Sequence, residues 1–119
     1  KLTRSSFKAT FLMIEIRHYV SETGNDHYQQ WLDHLKDPTA KARITVRVNR
    51  LSAGAFGDCK PLCQGVWELR IDHGPGYRLY YAQDGKKLML LLLGGDKRQQ
   101  QADIEKAIRC WNEYQKRTP

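Results

Sequence analysis

The sequence predicts an α+β fold in which a compact, mostly antiparallel β-sheet is flanked by helices. The chain has 119 residues, which suits one hydrophobic core and not two. Its apolar residues follow a helical spacing between residues 25 and 54 and alternate along strands after Gly65. Tight-turn sequences separate the β-rich segments of the second half, as is typical of antiparallel neighbours.

The patterned part of the chain begins at Met13. Residues 1–12 lack apolar periodicity and are expected to be a poorly structured extension upstream of a single domain that covers residues 13–116. Residues 13–20 alternate between apolar and polar side chains and predict the first strand. The polar residues 21–25 follow it as a turn.

Two helices with almost no loop between them follow the first strand. Large apolar residues recur at helical spacing across residues 25–36 and predict the first helix. Pro38 suits the first turn of the second helix, which Gly54 and Gly57 end. Beside its apolar stripe this second helix carries a basic stripe of Arg43, Arg47 and Arg50.

A change from helical to alternating periodicity predicts a meander of three strands. The strands cover residues 66–72, 77–82 and 87–93. The turn sequences His-Gly-Pro-Gly at residues 73–76 and Asp-Gly at residues 84–85 separate them. The last strand is apolar on both faces, so it is expected to lie in the centre of the sheet.

The first hairpin of this meander carries an arginine on each arm. Pairing the apolar faces of its strands places Arg70 and Arg78 together on the opposite face, with Glu68 and Tyr80. Like charges opposed across a sheet cost roughly 0.2–1 kcal/mol, so two guanidiniums there favour an anion between them. Arginine forks match the oxygens of phosphate. The alternative is that Arg70 pairs with Glu68 or Asp72 and that Arg78 is a solvated surface residue.

The start of the last helix adds two more cations. Asp96 is a suitable N-cap for this helix, which is predicted to run to about residue 116. Lys97 and Arg98 follow, although cations are not favoured at a helix N-terminus. Free N–H groups at such an end bind anions. If this end of the sheet lies over the face of the hairpin that carries the arginines, four cations and a helix N-terminus are predicted to converge there. The alternative is that Lys97 and Arg98 are simply exposed.

The charge balance narrows the class of partner. Twenty Lys and Arg against thirteen Asp and Glu give a net charge of +7, which indicates a polyanion such as nucleic acid, an anionic membrane or an acidic protein. The longest apolar run, residues 88–93, is far short of the ~20 residues that cross a bilayer. Three cysteines argue against a disulfide framework and favour reduced thiols in the cytoplasm.

Three motifs, in this order and spacing, resemble the RelE/ParE toxin superfamily. They are GVWELRI at residues 65–71, GPGYRLYY at residues 74–81 and LLGGDK at residues 92–97. More narrowly, the chain is similar to the HigB-like "addiction module killer protein" group of type II toxin–antitoxin operons, which residues 50–61 also fit. The resemblance covers about residues 13–111.

The resemblance implies a RelE-like toxin fold, which is also a microbial RNase-like fold, and an activity. The activity is that of an mRNA endonuclease, or mRNA interferase, which cleaves message in the ribosomal A site and needs neither a metal nor another cofactor. The 2′-hydroxyl of the RNA attacks the adjacent phosphate and leaves a 2′,3′-cyclic phosphate and a 5′-hydroxyl. This chemistry needs cations for the transition state, a base and an acid.

The resemblance also assigns roles to residues. Arg78 matches the arginine of the family's Gly-Tyr-Arg motif and is expected to hold the scissile phosphate, while Arg70 and Lys97 stabilise its charge. Where RelE-like members often have a tyrosine or histidine, this chain has Asp103, so the candidate bases are Glu68, His73 and Asp103. The expected RNA contacts are Arg98, Tyr80, Arg43, Arg47 and Arg50. The last three also fit an acidic antitoxin segment or a solvated helix face.

The toxin resemblance implies partners and leaves other functions open. A cognate helix-turn-helix antitoxin is expected to cover the site or to keep the toxin off the ribosome, and the complex is expected to bind operator DNA. ParE relatives share the architecture but bind and poison DNA gyrase without cleaving RNA. A third hypothesis is a weakened toxin that is kept for binding its antitoxin or operator DNA. RNA cleavage separates the first function from the other two.

Overall fold

The computed structural model describes residues 14–118 and shows the α+β architecture that the sequence predicts. The predicted extension over residues 1–12 lies outside the described residues. The elements in chain order are β1 (Glu15–His18), α1 (His27–His34), α2 (Pro38–Ser52), β2 (Cys59–Pro61), β3 (Val66–Ile71), β4 (Tyr77–Asp84), β5 (Leu88–Asp96), a 3-10 turn (Lys97–Gln99) and α3 (Gln100–Arg117).

The strands form one sheet in the order β1-β5-β4-β3-β2. Strand β1 runs parallel to β5, and the other neighbours are antiparallel. The predicted meander is therefore confirmed, with β5 inside the sheet. The sequence did not predict β2, because three residues that end in a proline show no alternation. Strand β5 also continues beyond the predicted residue 93 to Asp96.

Helices α1 and α2 each begin where an aspartate caps the free N–H groups. Asp26 Oδ1 accepts a hydrogen bond from Gln29 N at 2.9 Å, so α1 starts two residues later than predicted. Asp37 Oδ1 accepts from Thr39 N at 2.9 Å and starts α2, with Pro38 in its first turn. Residues 35–37 join the two helices.

The sheet has an apolar core on each face. Helices α1 and α2 cover one face, where the predicted apolar positions of β3 and β4 are buried. Helix α3 covers part of the other face, and it buries Ala107, Cys110 and Trp111 there. Within the described part of the chain, no helix combines the length and the apolar character that a bilayer crossing requires.

Two consecutive glycines in β5 let both layers approach the sheet closely. A Cβ at Gly94 would overlap the ring of Trp31 from α1. On the other face, a Cβ at Gly95 would overlap the Asp103 carboxylate from α3. The end of β5 is therefore enclosed from both sides, and the next residues, Asp96 and Lys97, emerge beside the β3–β4 hairpin.

Candidate functional site

The β3–β4 hairpin brings two arginines directly opposite each other. Arg70 pairs with Arg78, and Glu68 pairs with Tyr80. On its other side, Arg78 lies opposite Gly95 of β5. The predicted parity of the hairpin is therefore confirmed. A close approach of two guanidiniums is unfavourable by itself, so it requires either nearby carboxylates or an anion.

A cavity of about 370 Å³ opens beside these arginines at the end of the sheet. We call it the arginine site; its walls are formed by Asp58, Arg70, Asp72, Gly74, Pro75, Gly76, Arg78 and Lys97. Gly76, with a φ of +83°, lies between two of the cations, because a Cβ there would stand 3.6 Å from Arg78 Nη1 and 3.8 Å from Lys97 Cβ. Lys97 N also donates to Gly76 O at 2.9 Å, which fixes this arrangement.

Asp58 orients Arg70, and sequence reasoning missed this contact. Asp58 Oδ1 accepts from Arg70 Nη2 at 2.8 Å and from Nε at 3.3 Å, and the Asp58 carbonyl accepts from Arg70 N at 2.9 Å. The hydrogen bond to this carboxylate raises the pKa of Arg70 above its ordinary value. Asp58 directly precedes β2, so only the pairing of that short edge strand with β3 reveals it.

Glu68 lies beneath Arg78 in the sheet and is fully buried. Its Oε2 accepts from Gln100 Nε2 at 2.7 Å and stands 3.7 Å from Arg78 Nε. Its Oε1 stands 4.0 Å from Lys60 Nζ. The Arg78 side chain is 13% exposed, so its guanidinium lies between a buried carboxylate and the open cavity. The Glu68 carboxylate is therefore the buried counter-charge of the Arg78 guanidinium at the base of the site.

Burial corrects two of the predicted roles. Glu68 has no exposed surface, so it does not reach an RNA hydroxyl, and its predicted role as the base gives way to that of a counter-charge for Arg78. Tyr80 is also fully buried, so the prediction that it contacts RNA is wrong. Burial, followed by the charge of Glu68, raises the pKa of Tyr80 well above its ordinary range. Both residues are covered where α3 packs on the sheet.

Lys97 and Arg98 separate after β5. Lys97 lines the arginine site, as predicted, whereas Arg98 is not among the residues that form its walls. The Arg98 guanidinium instead bonds to Asp96 at 2.8 and 3.3 Å, and this contact lowers the pKa of Asp96. Asp96 caps a 3-10 turn, so α3 begins only at Gln100. Three cations therefore converge at the site instead of the predicted four, and the helix N-terminus lies one turn further on.

His73 faces away from the arginine site. Its Nε2 lies 3.0 Å from Asp37 Oδ2, at the N-cap of α2. The hydrogen bond to His73 lowers the pKa of Asp37. His73 is not among the residues that line the site, so the structure favours a tie between hairpin and helix over its predicted role as a base.

Asp103 also lies outside the arginine site. It lines a groove of about 330 Å³ between α1 and α3, together with His27, His34 and Lys106. Burial raises the pKa of its carboxyl group, which rests against Gly95. The structure therefore separates Asp103 from Arg70 and Lys97, although Gly95 is the cross-strand partner of Arg78.

Replacing Gly95 by alanine is expected to destabilise the fold by about 1–2 kcal/mol, because the added methyl group overlaps the Asp103 carboxylate. Urea unfolding measures this loss. The three atoms nearest to such a methyl group all belong to Asp103, so the Asp103→Ala background is expected to remove most of the penalty. An equal penalty in both backgrounds would contradict the close contact.

The raised pKa of Asp103 makes its contribution to stability pH-dependent. A carboxyl group whose pKa is higher in the folded state stabilises the fold fully below its unfolded pKa, and this contribution is lost as pH rises through the folded pKa. Asp103→Asn is therefore expected to change stability more favourably at pH 7 than at pH 3.5. Unfolding free energies of both proteins, with Glu105→Gln on the exposed side of α3 as a control, test this. An unchanged difference between the two pH values would refute it.

The basic stripe of α2 lies on a separate groove. Arg43 and Arg50 are exposed there, and no carboxylate within residues 14–118 forms an ion pair with either. Arg47 instead donates from Nη1 to Arg70 O at 2.9 Å and from Nη2 to Phe56 O at 3.5 Å. Arg47 therefore braces the helix against β3, and the predicted RNA contacts of Arg43, Arg47, Arg50 and Arg98 stay predictions.

Comparisons with known proteins extend over most of the chain. The family model described as "Phage derived protein Gp49-like (DUF891)" matches residues 30–112. A protein of Haemophilus influenzae described as "Uncharacterized protein" is 48% identical over 80 residues, which are 67% of this chain and 81% of that protein. The matched region includes α2, the whole β2–β5 sheet segment and most of α3, so it contains every residue that lines the arginine site.

Proposed function

We propose that this chain, which belongs to the phage-derived Gp49-like family, is a HigB-like toxin that cleaves mRNA on the ribosome. The Gp49-like family is related to the RelE and HigB toxins. The observation that carries the proposal is the arginine site, where Arg70, Arg78 and Lys97 line one open cavity. Guanidinium groups bind phosphate oxygens through two parallel hydrogen bonds. The Asp58 carboxylate hydrogen-bonds to Arg70, and the buried Glu68 carboxylate stands 3.7 Å from Arg78 Nε.

In the proposed reaction one phosphorus–oxygen bond forms, another breaks, and two protons are transferred. The 2′-oxygen attacks the adjacent phosphorus, and the bond from phosphorus to the 5′-oxygen breaks. The proton of the 2′-hydroxyl passes to a base, and the leaving 5′-oxygen receives a proton. Negative charge grows on the phosphoryl oxygens in between, so cations placed there in advance lower the barrier. We assign Arg78 to these oxygens, with Arg70 and Lys97 on either side.

Asp72 is the candidate base that the arginine site supports best. It is exposed on the wall of the cavity, and within the described chain no hydrogen bond or ion pair engages its carboxylate. The other wall carboxylate, Asp58, is held by Arg70. A carboxylate within reach of the 2′-hydroxyl can accept its proton. Sequence reasoning considered Asp72 only as a partner of Arg70.

The proposal includes the partners of a toxin–antitoxin system. The protein would act in the cytoplasm, and a cognate helix-turn-helix antitoxin would neutralise it. The complex of the two would bind operator DNA. The surplus of seven positive charges supports a polyanionic target such as the ribosome and its message.

A cell-free translation reaction tests the function. Purified protein is added to a defined message with and without ribosomes, and primer extension maps the 5′ ends. We expect new ends only in the presence of ribosomes and wild-type protein, with 5′-hydroxyl termini that ligate only after treatment with a kinase. Asp72→Asn is expected to slow the reaction, with the exposed Asp33→Asn as its control. An intact message would refute the nuclease, and gyrase-dependent DNA breakage in parallel would support the ParE-like alternative.

A further inference from the structure

Helix α2 has a second face that is exposed among the described residues. Its first face enters the core through Ala40, Ile44 and Leu51. The second face borders a groove of about 430 Å³ between the helix and the end of β3. We call this the α2 groove; it is bordered by Ala42, Arg43, Val46, Arg50, Ile71 and Asp72, among others.

The floor of the α2 groove is apolar and its rim is basic. Val46 is 45% exposed and is one of three exposed large hydrophobic residues in the described chain. Arg43 and Arg50 stand one turn before and one turn after it on the same face of the helix. Helix spacing from Thr39 to Arg50 gives the groove a length of about 16 Å. That length matches about three turns of a bound helix.

This composition distinguishes the α2 groove from the arginine site. The walls of the arginine site are formed by charged side chains and a turn, which suits a phosphate group. RNA gains little from the exposed Val46 and Ala42, because its backbone is charged and its bases need flat partners for stacking. A peptide with apolar residues on one side and carboxylates on the flanks satisfies both the floor and the rim.

We propose that the α2 groove is the docking surface for an acidic amphipathic segment of a partner protein. Apolar side chains of the segment cover Val46 and Ala42, and its carboxylates pair with Arg43 and Arg50. Asp72 is the single carboxylate among the residues that line the groove, and it lies at the end shared with the arginine site. A segment that extends past Asp72 therefore enters the arginine site, where it competes with phosphate for the cations.

The docking does not depend on RNA cleavage, so binding is measured first. A phage-displayed library of 16-residue peptides is selected on the wild-type protein, with counter-selection on the Val46→Glu variant. We expect enriched peptides with Asp or Glu flanking apolar residues at helical spacing. The most enriched peptide, synthesised with a fluorescent label, is expected to bind Val46→Glu or Arg43→Glu/Arg50→Glu roughly ten-fold more weakly than wild type.

Matched controls separate the groove from general charge effects. Thr45→Glu adds the same charge one residue away from Val46 on α2, and Arg109→Glu reverses an exposed charge on α3. Both variants are expected to bind the peptide like wild type, and a 16-nucleotide RNA is expected to be insensitive to Val46→Glu. The proposal is overturned by a selection without enrichment, by equal losses in the controls, or by RNA binding that falls with Val46→Glu while peptide binding does not.

Inhibition is a separate measurement. The same peptide, extended by acidic residues at the end that meets Asp72, is expected to release phosphate-containing ligands such as a labelled trinucleotide from the arginine site. Competition of this kind supports the proposal that a segment in the α2 groove extends into the arginine site. Simultaneous binding of peptide and trinucleotide would overturn the proposed extension into the arginine site. A protein that binds the peptide and never cleaves RNA would overturn the proposed nuclease but leave the docking surface intact.

Discussion

Replacing Arg78 by alanine is expected to lower the rate of message cleavage by about 10²–10³-fold, because one preorganised donor to a developing anion is typically worth this much. Arg78 is the cation that both faces the cavity and rests on a buried counter-charge. Single-turnover cleavage of ribosome-bound message, followed by primer extension, measures the loss. Expression of the wild-type protein is expected to inhibit cell growth, and expression of Arg78→Ala is expected not to.

Arg78→Lys separates charge from geometry. Lysine keeps a positive charge above Glu68 but presents a single ammonium instead of a planar fork, so we expect an intermediate loss of about ten-fold. Arg109→Ala on the exposed side of α3 serves as the control and is expected to cleave like wild type. Full activity in Arg78→Ala, with the fold intact by circular dichroism, would remove the arginine site from the proposed chemistry.

The second large effect is expected at Glu68. Glu68→Gln retains the shape of the side chain but leaves the partly buried Arg78 guanidinium without its counter-charge. Breaking such a pair costs up to several kcal/mol, and the distance of 3.7 Å with some exposure of Arg78 reduces the expected loss to about 1–3 kcal/mol. Urea unfolding measures the change, with the exposed Glu105→Gln as the control.

A double-mutant cycle tests whether the effect runs through Arg78. In the Arg78→Gln background, Glu68→Gln is expected to cost clearly less, since no guanidinium then remains to be neutralised. The cleavage rate of Glu68→Gln is also expected to fall, because Arg78 is no longer held at the base of the cavity. Additive losses in the cycle would mean that Glu68 stabilises the sheet without positioning Arg78.

Alternation along the strands allowed the hairpin to be predicted from the sequence. The apolar side chains of β3 and β4 fix which residues share a face, and this parity alone places Arg70 with Arg78. The placement of Lys97 near the hairpin was predicted from its position directly after the last strand. Local pattern is sufficient in such cases because each prediction depends on neighbours within a few residues.

The contacts that the sequence did not predict depend on residues distant in the chain. Asp58 pairs with Arg70 only because the short strand β2 adds to the edge of the sheet. Glu68 and Tyr80 were assigned to the correct face, but α3 covers part of that face and buries both. The guanidinium of Arg98 bonds to the capping aspartate, and helix spacing does not reveal this choice.

The hydrogen bond from Arg47 to the carbonyl of Arg70 joins the two proposed binding sites. Arg47 belongs to the helix that borders the α2 groove, and its hydrogen bond ends on the strand that carries Arg70 of the arginine site. A ligand that shifts α2 would therefore change the free energy of the strand that the other proposed ligand contacts. Thermodynamic linkage makes this coupling reciprocal, so an oligonucleotide in one cavity changes peptide affinity in the other by the same factor.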